Sequence, residues 1–379
     1  MDQKLAVLFM PDDMTLTKEK TPLMLRPILF CPILTWMVEE LMGRGIERFF
    51  IVSDKRAHDM MRPYVPENAD VVYVDGARHG EELLTLLKDE KGSVLIVNGA
   101  VLPVGVFSGG AVYSADAKEC CKVLKEHGAF AAFPKGAEIT KGFLPVGDDE
   151  EIRSAQDMCR RKIADKHFAA GVSIMDANNT YIDPRVSIGS GTVILPGTIL
   201  RGRTVIGKNC TIGPNTMIRD CVIGDETEVN ASQLNESRIG SHTNVGPFAY
   251  VRPNSTIGDH VKVGDFVEIK NSVIGNGTKI SHLTYVGDSD CGERINFGCG
   301  TVTTNYDGFK KFRCTIGDDA FIGCNTNLIA PVTVGSGSYI AAGSTITDEV
   351  PADSLAIARE RQVNKPGWAE QWRAAHEKK

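Results

Sequence analysis

The sequence lacks any segment suited to crossing a membrane. None of its apolar runs approaches the roughly 18 residues that a spanning helix needs. A basic excess is missing too, since 42 Lys and Arg stand against 48 Asp and Glu. A chain with a net charge of −6 and no basic block is not expected to bind nucleic acid. The N-terminus, MDQKLAVLFMPDD, lacks the basic start and long apolar core of a signal peptide, and is interpreted as a first strand.

The ten cysteines form no C-x-x-C pair and no Cys/His cluster with zinc spacing. Cys120 and Cys121 are adjacent, which suits neither a structural disulfide nor a zinc site. We therefore expect reduced thiols and a cytoplasmic location. The length of 379 residues favours two domains, and the 42% hydrophobic content is that of a globular protein.

A branched aliphatic residue recurs at every sixth position of the C-terminal half, with a few one-residue slips. Glycine often follows it, as in Ile206-Gly207 and Val334-Gly335. Neither a helix nor an alternating strand produces this period. A solenoid of short strands does, because each strand points one aliphatic inward and stacked coils bury it. The members include Ile188, Ile194, Leu200, Ile206, Ile212, Ile218, Ile239, Val245, Val251, Ile257, Val263, Ile269, Ile274, Ile280, Val286, Cys291, Phe297, Ile316, Ile322, Leu328, Val334, Ile340 and Ile346.

The first 149 residues have a different pattern, in which strands alternate with helices. This predicts a parallel sheet with crossover helices, similar to a Rossmann half-sheet that ends early, because 110–150 is weakly patterned. A charged segment at 150–170 is predicted to be a connecting helix, followed by the solenoid at 171–360. The tail, 361–379, is expected to contain a short helix. Strands are predicted at 5–10, 48–52, 71–74 and 94–97, and helices at 33–44, 54–64 and 81–87.

Several long stretches of the C-terminal half carry a family resemblance. They include NTYIDPRVSIG, VGDFVEIKNS, ISHLTYVGD, INFGCGTVTTNYDG and LAIARERQVNK. Together, residues 162–365 closely resemble the acetyltransferase domain of the bifunctional N-acetylglucosamine-1-phosphate uridylyltransferase and glucosamine-1-phosphate N-acetyltransferase family. The resemblance implies a left-handed parallel β-helix and a homotrimer with sites between subunits. It also implies acetylation of glucosamine-1-phosphate by acetyl-CoA on the route to UDP-N-acetylglucosamine, a cell-wall precursor.

The resemblance also implies a set of site residues. His282 would be the general base, which suits an imidazole at neutral pH. The acceptor phosphate and sugar would bind residues spread over several coils, namely Arg252, Lys270, Lys311, Tyr285, Asn296 and Asn305. Arg252 and Lys270 are 18 residues apart, so a coil of three hexapeptides would stack one on the other.

The co-substrate acetyl-CoA would bind in a groove, with Tyr306 polarising the thioester. The implied groove residues are Cys299, Asn305, Cys324, Ala342 and Arg359. Cys299 departs from the small residue, often alanine, that is usual in the family, and Cys324 departs from serine. Both are small, so binding is expected to survive. Reactive thiols beside a thioester would also make the protein sensitive to oxidation.

The N-terminal part resembles the nucleotidyltransferase domain of the same family, with changes at its chemical positions. Met10-Pro11-Asp12-Asp13 replaces a glycine-rich triphosphate loop, and Ala100 replaces the aspartate that holds magnesium. We expect uridylyl transfer to be lost, with Mg²⁺ required only if that domain is active. Three alternatives stay open: a bifunctional enzyme, an acetyltransferase for another amino sugar, and a non-enzymatic scaffold.

Overall fold

The computed structural model describes residues 4–10, 22–102, 108–128 and 138–376. The chain divides into two compact units, 1–204 and 205–379, and each is described by itself. Within the described ranges, no helix is both long and apolar enough to cross a membrane.

A six-stranded sheet forms the centre of the first unit. Leu5–Phe9 is almost wholly buried within it, as expected for a strand covered on both faces. Four strands pair in parallel and confirm the predicted Rossmann-like arrangement. Two further strands add to them in antiparallel fashion. The strand order is Asp70–Asp75, Arg48–Ser53, Leu5–Phe9, Ser93–Asn98, Ser108–Asp116 and Glu138–Lys141.

Five helices lie in the described residues of this unit, and side-chain caps fix where several of them begin. The Asp54 side chain accepts a hydrogen bond from the Arg56 amide at 2.8 Å, and Asp148 accepts from Glu150 and Glu151. The predicted helix at 54–64 ends in a 3-10 turn, Arg62–Tyr64. The five helices are α1 (Ile33–Gly43), α2 (Lys55–Met61), α3 (His79–Leu87), α4 (Ala117–His127) and α5 (Asp149–Ala169).

The expectation that the sheet ends early, before a weakly patterned stretch, is wrong. That stretch contributes Ser108–Asp116, α4 and Glu138–Lys141. Cys120 and Leu124 of α4 are buried in one cluster with strand and α3 side chains. The buried residues of α4 are Ala117, Cys120, Val123 and Leu124, whose spacing of three and four positions is that of a helix.

A helix is present at the predicted position as α5, and short strands follow it in the same unit. The carboxylate of Asp183, fully buried, accepts two hydrogen bonds from the Arg185 guanidinium and one from the Gly202 amide. Such pairing offsets the desolvation of a buried charge. The short strands are Ser173–Ile174, Tyr181–Ile182, Ser187–Ile188, Val193–Ile194 and Ile199–Arg201.

Smaller elements complete this unit. Two short antiparallel pairs join Pro27–Ile28 to Cys31–Pro32 and Val101–Leu102 to Leu144–Pro145. Besides Arg62–Tyr64, the 3-10 turns are Leu23–Leu25, Gly76–Arg78 and Ala177–Asn179.

The second unit winds its short strands into three parallel β-sheets, and each sheet forms one face of the solenoid. Face 1 contains Thr211–Ile212, Glu228–Val229, Asn244–Val245, Lys262–Asp265, Lys279–His282, Asn296–Phe297, Phe321–Ile322, Tyr339–Ile340 and Leu355–Ala356. Face 2 contains Met217–Arg219, Gln233–Asn235, Tyr250–Val251, Glu268–Lys270, Tyr285–Gly287, Val302–Thr304, Asn327–Ile329 and Thr345–Ile346. Face 3 contains Val205–Ile206, Val222–Ile223, Arg238–Ile239, Thr256–Ile257, Val273–Ile274, Ser289–Cys291, Cys314–Ile316 and Val332–Val334.

The hexapeptide side chains form the core of this solenoid, since every predicted member in the second unit is at most 5% exposed. At one corner, polar side chains bind the backbone of the neighbouring coil. The Ser241 amide donates to Asp259 at 2.7 Å, and the Asp259 amide donates to Asn276 at 2.8 Å. Coil contact is tight: a methyl group at Gly264 would lie 2.0 Å from the Ser281 carbonyl oxygen.

The fold is thus an α/β N-terminal domain followed by a left-handed parallel β-helix of hexapeptide repeats. The predicted tail helix is present as α6, Trp368–His376. The domain boundaries drawn at 149, 170 and 360 stay a prediction.

Candidate active site

His282 ends a strand of face 1 and is more than half exposed. It lies opposite Asp265 of the preceding coil in the strand register. The two are joined by a hydrogen bond of 2.6 Å between the imidazole Nδ1 and the Asp265 carboxylate. The hydrogen bond from His282 lowers the pKa of Asp265. When Nδ1 carries the proton and donates it to this carboxylate, Nε2 keeps a free lone pair and can accept a proton.

A column of residues runs along face 1 through His282. Each member stands two positions after an inward-facing residue, and those inward-facing residues are in register along the face. We call this set the His282 column: Asp265, His282, Cys299, Cys324 and Ala342. Strand spacing places neighbouring members about 4.8 Å apart. The structure therefore aligns the predicted base with three predicted CoA-binding positions.

A second cluster surrounds Asp288, at the end of a face 2 strand. The buried Asp288 carboxylate accepts hydrogen bonds from the side-chain amides of Asn271 and Asn305, on the coils before and after it. The Lys270 ammonium lies 3.2 Å from the same carboxylate. Tyr285 joins the group, with its hydroxyl 3.4 Å from the Asn305 Nδ2. We call these five residues the Asp288 cluster.

The pKa values of the ionisable groups in and beside the Asp288 cluster are shifted by burial and by the charges around them. Burial raises the pKa of Asp288, but hydrogen bonds from Asn271 and Lys270 outweigh it and the net shift is downward. Partial burial lowers the pKa of Lys270, and contacts with Lys311 and Asp288 more than offset it, so the net shift is upward. The pKa of Lys311 is lowered by the adjacent Lys270.

Arg252 adds a third cation at the position of Lys270 on the preceding coil, as their strand register shows. Its guanidinium lies 2.8 Å from the Glu268 carboxylate, which raises the pKa of Arg252. Lys311 contacts Lys270 through its side chain, and Lys270 stacks one coil from Arg252, so the three cations belong to one patch. Two carboxylates, Glu268 and Asp288, oppose these three cations, which leaves a net positive charge suited to an anion.

The segment 304–313 leaves the hexapeptide pattern and forms a protruding loop. Its base is held where the Phe312 amide donates to the Asn305 carbonyl at 2.9 Å. Asp307 closes the turn by accepting from the Phe309 and Lys310 amides. Tyr306 is more than half exposed, and Phe309 at the tip is 91% exposed.

Two predicted residues lie outside both groups as defined, Asn296 and Arg359. Asn296 pairs in register with Lys279 and Phe321 on face 1, three positions before Cys299. Arg359 is exposed and follows the last face 1 strand, and its side chain lies beside Gly343, next to Ala342 of the His282 column. Neither forms a hydrogen bond with the Asp288 cluster in the described part of the chain.

The predicted changes in the N-terminal domain lie partly outside the described residues, since Pro11, Asp12 and Asp13 do. Ala100 is described and buried, and its carbonyl accepts from the Val146 amide at 3.0 Å. A methyl group offers no ligand to Mg²⁺, so this position does not fit the ion. Across the described ranges, no three His, Cys, Asp or Glu side chains are grouped to hold a metal.

The sequence reading missed the three carboxylates of the site: Asp265, Glu268 and Asp288. A signal for them was present. Asp265 precedes His282 by 17 residues, and Asp288 follows Lys270 by 18. In a β-helix with coils of that length, such residues are neighbours.

Known proteins support the same reading of the second half of the chain. The family described as Bacterial transferase hexapeptide (six repeats) matches residues 236–271 and 313–348. The protein named Bifunctional protein GlmU from Clostridium kluyveri is 51% identical over 248 residues, which cover 65% of this chain and 54% of that protein. The protein of the same name from a Geobacillus species is 49% identical over 249 residues, 66% of this chain and 54% of the relative.

The chain thus spans about half the length of the curated relatives it matches. Among solved structures, the Arabidopsis UDP-N-acetylglucosamine acyltransferase aligns at 19% identity with a TM-score of 0.32. The alignment covers 54% of this chain and 76% of that one, and nothing about activity rests on it.

Proposed function

We propose that the chain belongs to the family of the bifunctional GlmU proteins through its hexapeptide-repeat half, and that it is an acetyl-CoA-dependent N-acetyltransferase acting on glucosamine-1-phosphate. The product is N-acetylglucosamine-1-phosphate, a precursor of UDP-N-acetylglucosamine. The observation that carries this proposal is the contact between His282 and Asp265, at the start of a column of predicted CoA-binding residues.

In this reaction the neutral acceptor amine attacks the thioester carbonyl carbon. His282 Nε2 takes the proton that the amine loses, while Asp265 holds the imidazole through Nδ1 and stabilises its charged form. Collapse of the tetrahedral intermediate breaks the carbon–sulfur bond and releases CoA, which takes the proton from His282. Tyr306 and Asn305 of the loop are the proposed partners of the thioester oxygen.

The acceptor's phosphate is assigned to the positive patch of Arg252, Lys270 and Lys311. Phosphate favours charged lysine, so it offsets the lowering of the Lys311 pKa by Lys270. Tyr285 and Asn305, at the edge of the same patch, are assigned to the sugar. Asn296 is assigned to the sugar by the family resemblance, and Cys299, Cys324, Ala342 and Arg359 to the CoA groove.

The proposed assembly is a homotrimer with the site between chains. A support for this is an apolar ridge at the corner beside His282: Phe248, Phe266 and Leu283 are 59%, 58% and 58% exposed. The two phenyl rings stack with centroids 5.5 Å apart. Contiguous exposed apolar side chains of this kind mark protein contact surfaces. The exposed Phe309 on the loop fits the same contact.

We also propose that uridylyl transfer is lost. The support is the buried methyl group of Ala100 at the position where the family resemblance implies a magnesium-binding aspartate.

The test is a pair of assays on the purified protein. Acetyl-CoA with glucosamine-1-phosphate is expected to release free CoA thiol. UTP with N-acetylglucosamine-1-phosphate and Mg²⁺ is expected to release no pyrophosphate. Thiol release without pyrophosphate supports both proposals, and pyrophosphate release would mean that the N-terminal domain is active. If neither thiol nor pyrophosphate is released, the result would favour an acetyltransferase for another amino sugar or a non-enzymatic scaffold.

Two variants test the assignment of His282 as the general base. His282→Asn is expected to lower kcat by about 10²- to 10⁴-fold, the usual contribution of a general base, without loss of the folded assembly. His260→Asn is the matched control, because His260 is also exposed on a β-helix corner but stacks on His242 instead. Full activity in His282→Asn would remove the assignment of the base.

A further inference from the structure

Two cysteines of the β-helix differ from the rest in exposure. Among the ten, all of which lie in the described ranges, Cys324 is exposed and Cys299 is half-buried. Cys121, in α4, is also half-buried, and the remaining seven are buried. Thiol chemistry needs access, so Cys299 and Cys324 are the accessible thiols of the β-helix.

These two cysteines occupy neighbouring coils at the same position of the His282 column. Phe297 pairs with Ile322, and each cysteine follows its strand by two residues. The Asn325 amide donates to the Cys299 carbonyl at 2.8 Å, which continues the register into the turn. A methyl group at Gly298 would lie 2.8 Å from the Cys324 Cα, so the two coils touch here.

The spacing of neighbouring coils suits a bond between the two sulfurs. Strands of a sheet lie about 4.8 Å apart, and the Cα atoms of disulfides lie about 4.4–6.8 Å apart. Neither sulfur has a hydrogen-bond partner within the described residues, in contrast to the buried Cys210 and Cys221.

We propose that Cys299 and Cys324 are a reversible thiol–disulfide pair that reacts with the disulfide of coenzyme A. This rests on the proposed function, which makes the His282 column the CoA groove. A groove that binds the thioester of CoA presents the same two thiols to any CoA-linked sulfur. The oxidised pair then lies between His282 and Ala342 and blocks acetyl-CoA.

The exchange balances in two steps. The exposed Cys324 thiolate attacks one sulfur of CoA disulfide, the sulfur–sulfur bond breaks, and one CoA leaves and takes up a proton as the thiol. The Cys299 thiolate then attacks the Cys324 sulfur of the mixed disulfide, and the second CoA leaves as a thiol. Two cysteine thiols are oxidised and one CoA disulfide is reduced to two CoA thiols.

The experiment treats the reduced full-length protein with CoA disulfide and maps the products by mass spectrometry of unreduced peptides. A Cys299–Cys324 cross-link is expected. Cys299→Ser is expected to stop at a CoA adduct on Cys324, whereas Cys324→Ser is expected to give neither product. Cys121→Ser is the control and should still form the cross-link. Adducts at Cys121 alone, or no cross-link in the wild type, would overturn the proposal.

Glutathione disulfide separates recognition of CoA from general thiol chemistry. Cross-linking is expected to be at least about tenfold faster with CoA disulfide, because binding makes the exchange local. Equal rates would overturn the CoA assignment. Selective cross-linking in a protein that does not acetylate glucosamine-1-phosphate would refute the proposed acceptor and leave the cysteine pair intact.

The effect of oxidation on the rate of acetyl transfer is also measured. Each protein is compared with its own reduced form. Wild-type acetyl transfer is expected to fall at least about tenfold with cross-linking and to return with a thiol reductant. A cross-linked protein with undiminished turnover would refute the blocking role.

Discussion

At the scale of single residues, carboxylates organise the site as much as cations do. Asp265 holds His282, Glu268 pairs with Arg252, and Asp288 gathers two amides and an ammonium. The sequence could predict His282 and the cations, because family motifs name them. It could not rank the carboxylates, because their partners are a coil away and acidic residues are common on any surface.

The role of Asp265 gives a first prediction. Asp265→Asn keeps an acceptor for Nδ1 but removes the charge, and Asp265→Ala removes both. We expect kcat to fall by about 10- to 100-fold in the asparagine variant and further in the alanine variant, since an unoriented base is a poorer one. The KM for the amino-sugar phosphate should change little, because Asp265 touches His282 and not the phosphate patch.

The matched control for Asp265 is Asp319→Asn. Asp319 accepts from Arg294 at 2.7 Å in an exposed ion pair of the same solenoid. Steady-state kinetics of the three variants distinguishes an effect on the base from a structural effect. A drop in the control equal to that in Asp265→Asn would mean that the effect is structural.

At the scale of elements, regular repetition decided what could be predicted. The hexapeptide aliphatics were visible because their period is strict, and the first four strands because each is a short apolar run between helical segments. Ser108–Asp116 and α4 were missed, although Asp116 caps α4 and Gly128 ends it with a positive φ. Those cap signals and the helical spacing of Cys120, Val123 and Leu124 were in the sequence, so α4 was predictable from it, whereas two glycines obscured the strand Ser108–Asp116.

A buried histidine of α5 predicts how the stability of the fold changes at acidic pH. Burial of His167 lowers its pKa from 6.5 to about 4. Between these values the unfolded chain binds a proton that the folded chain does not, so stability falls as pH drops from 6.5 towards 4. The loss amounts to about 1.4 kcal/mol for each pH unit within that window at most.

Thermal unfolding at pH 7.5 and pH 5, followed by the fluorescence of the buried Trp36, measures this loss. His167→Gln is expected to flatten the dependence on pH. His376→Gln, at an exposed histidine of α6, should leave it unchanged. An unaltered pH slope in His167→Gln would show that other groups cause the acid sensitivity.

Two glycine-to-alanine substitutions are expected to change the free energy of unfolding in opposite directions, one at a coil contact of the solenoid and one in a helix. Gly264→Ala places a methyl group against the Ser281 carbonyl and should destabilise by about 1–3 kcal/mol or more. Gly43→Ala, in the last turn of α1 with nothing near the added methyl, should stabilise by about 0.5–1 kcal/mol. Denaturant unfolding of both variants tests the pair, and a tolerated Gly264→Ala would mean that the coils can move apart.

At the scale of the whole molecule, the fold class and the proposed trimer could be predicted from the sequence, whereas the side chains of the proposed contact surface could not. A repeat predicts what lies inside the solenoid, because the inward positions recur. It does not predict which outward side chains meet another chain. The ridge of Phe248, Phe266 and Leu283 became visible only when three coils placed these residues side by side.

Subunit mixing tests the proposed site between chains. His282→Asn and Tyr306→Ala are each expected to be nearly inactive alone. If the loop serves a neighbouring chain, mixed trimers should regain about one quarter of wild-type activity, because half of the sites receive an intact His282 and half of those an intact Tyr306. Refolding equal amounts together and assaying thiol release measures the recovery.

The mass in solution should be close to that of three chains. Activity in the mixture no higher than the mean of the separate variants would place the loop and the base in one chain. A monomer that still acetylates would refute the shared site altogether.

Coil stacking has a consequence for how substitutions combine. Asp265 and His282, or Asn271 and Asp288, are 17 positions apart along the chain yet directly hydrogen-bonded. Residues six positions apart lie on different faces and share no such contact. Epistasis in this half of the protein should therefore recur with the period of a coil, and the history of the active site should read as paired changes one coil apart.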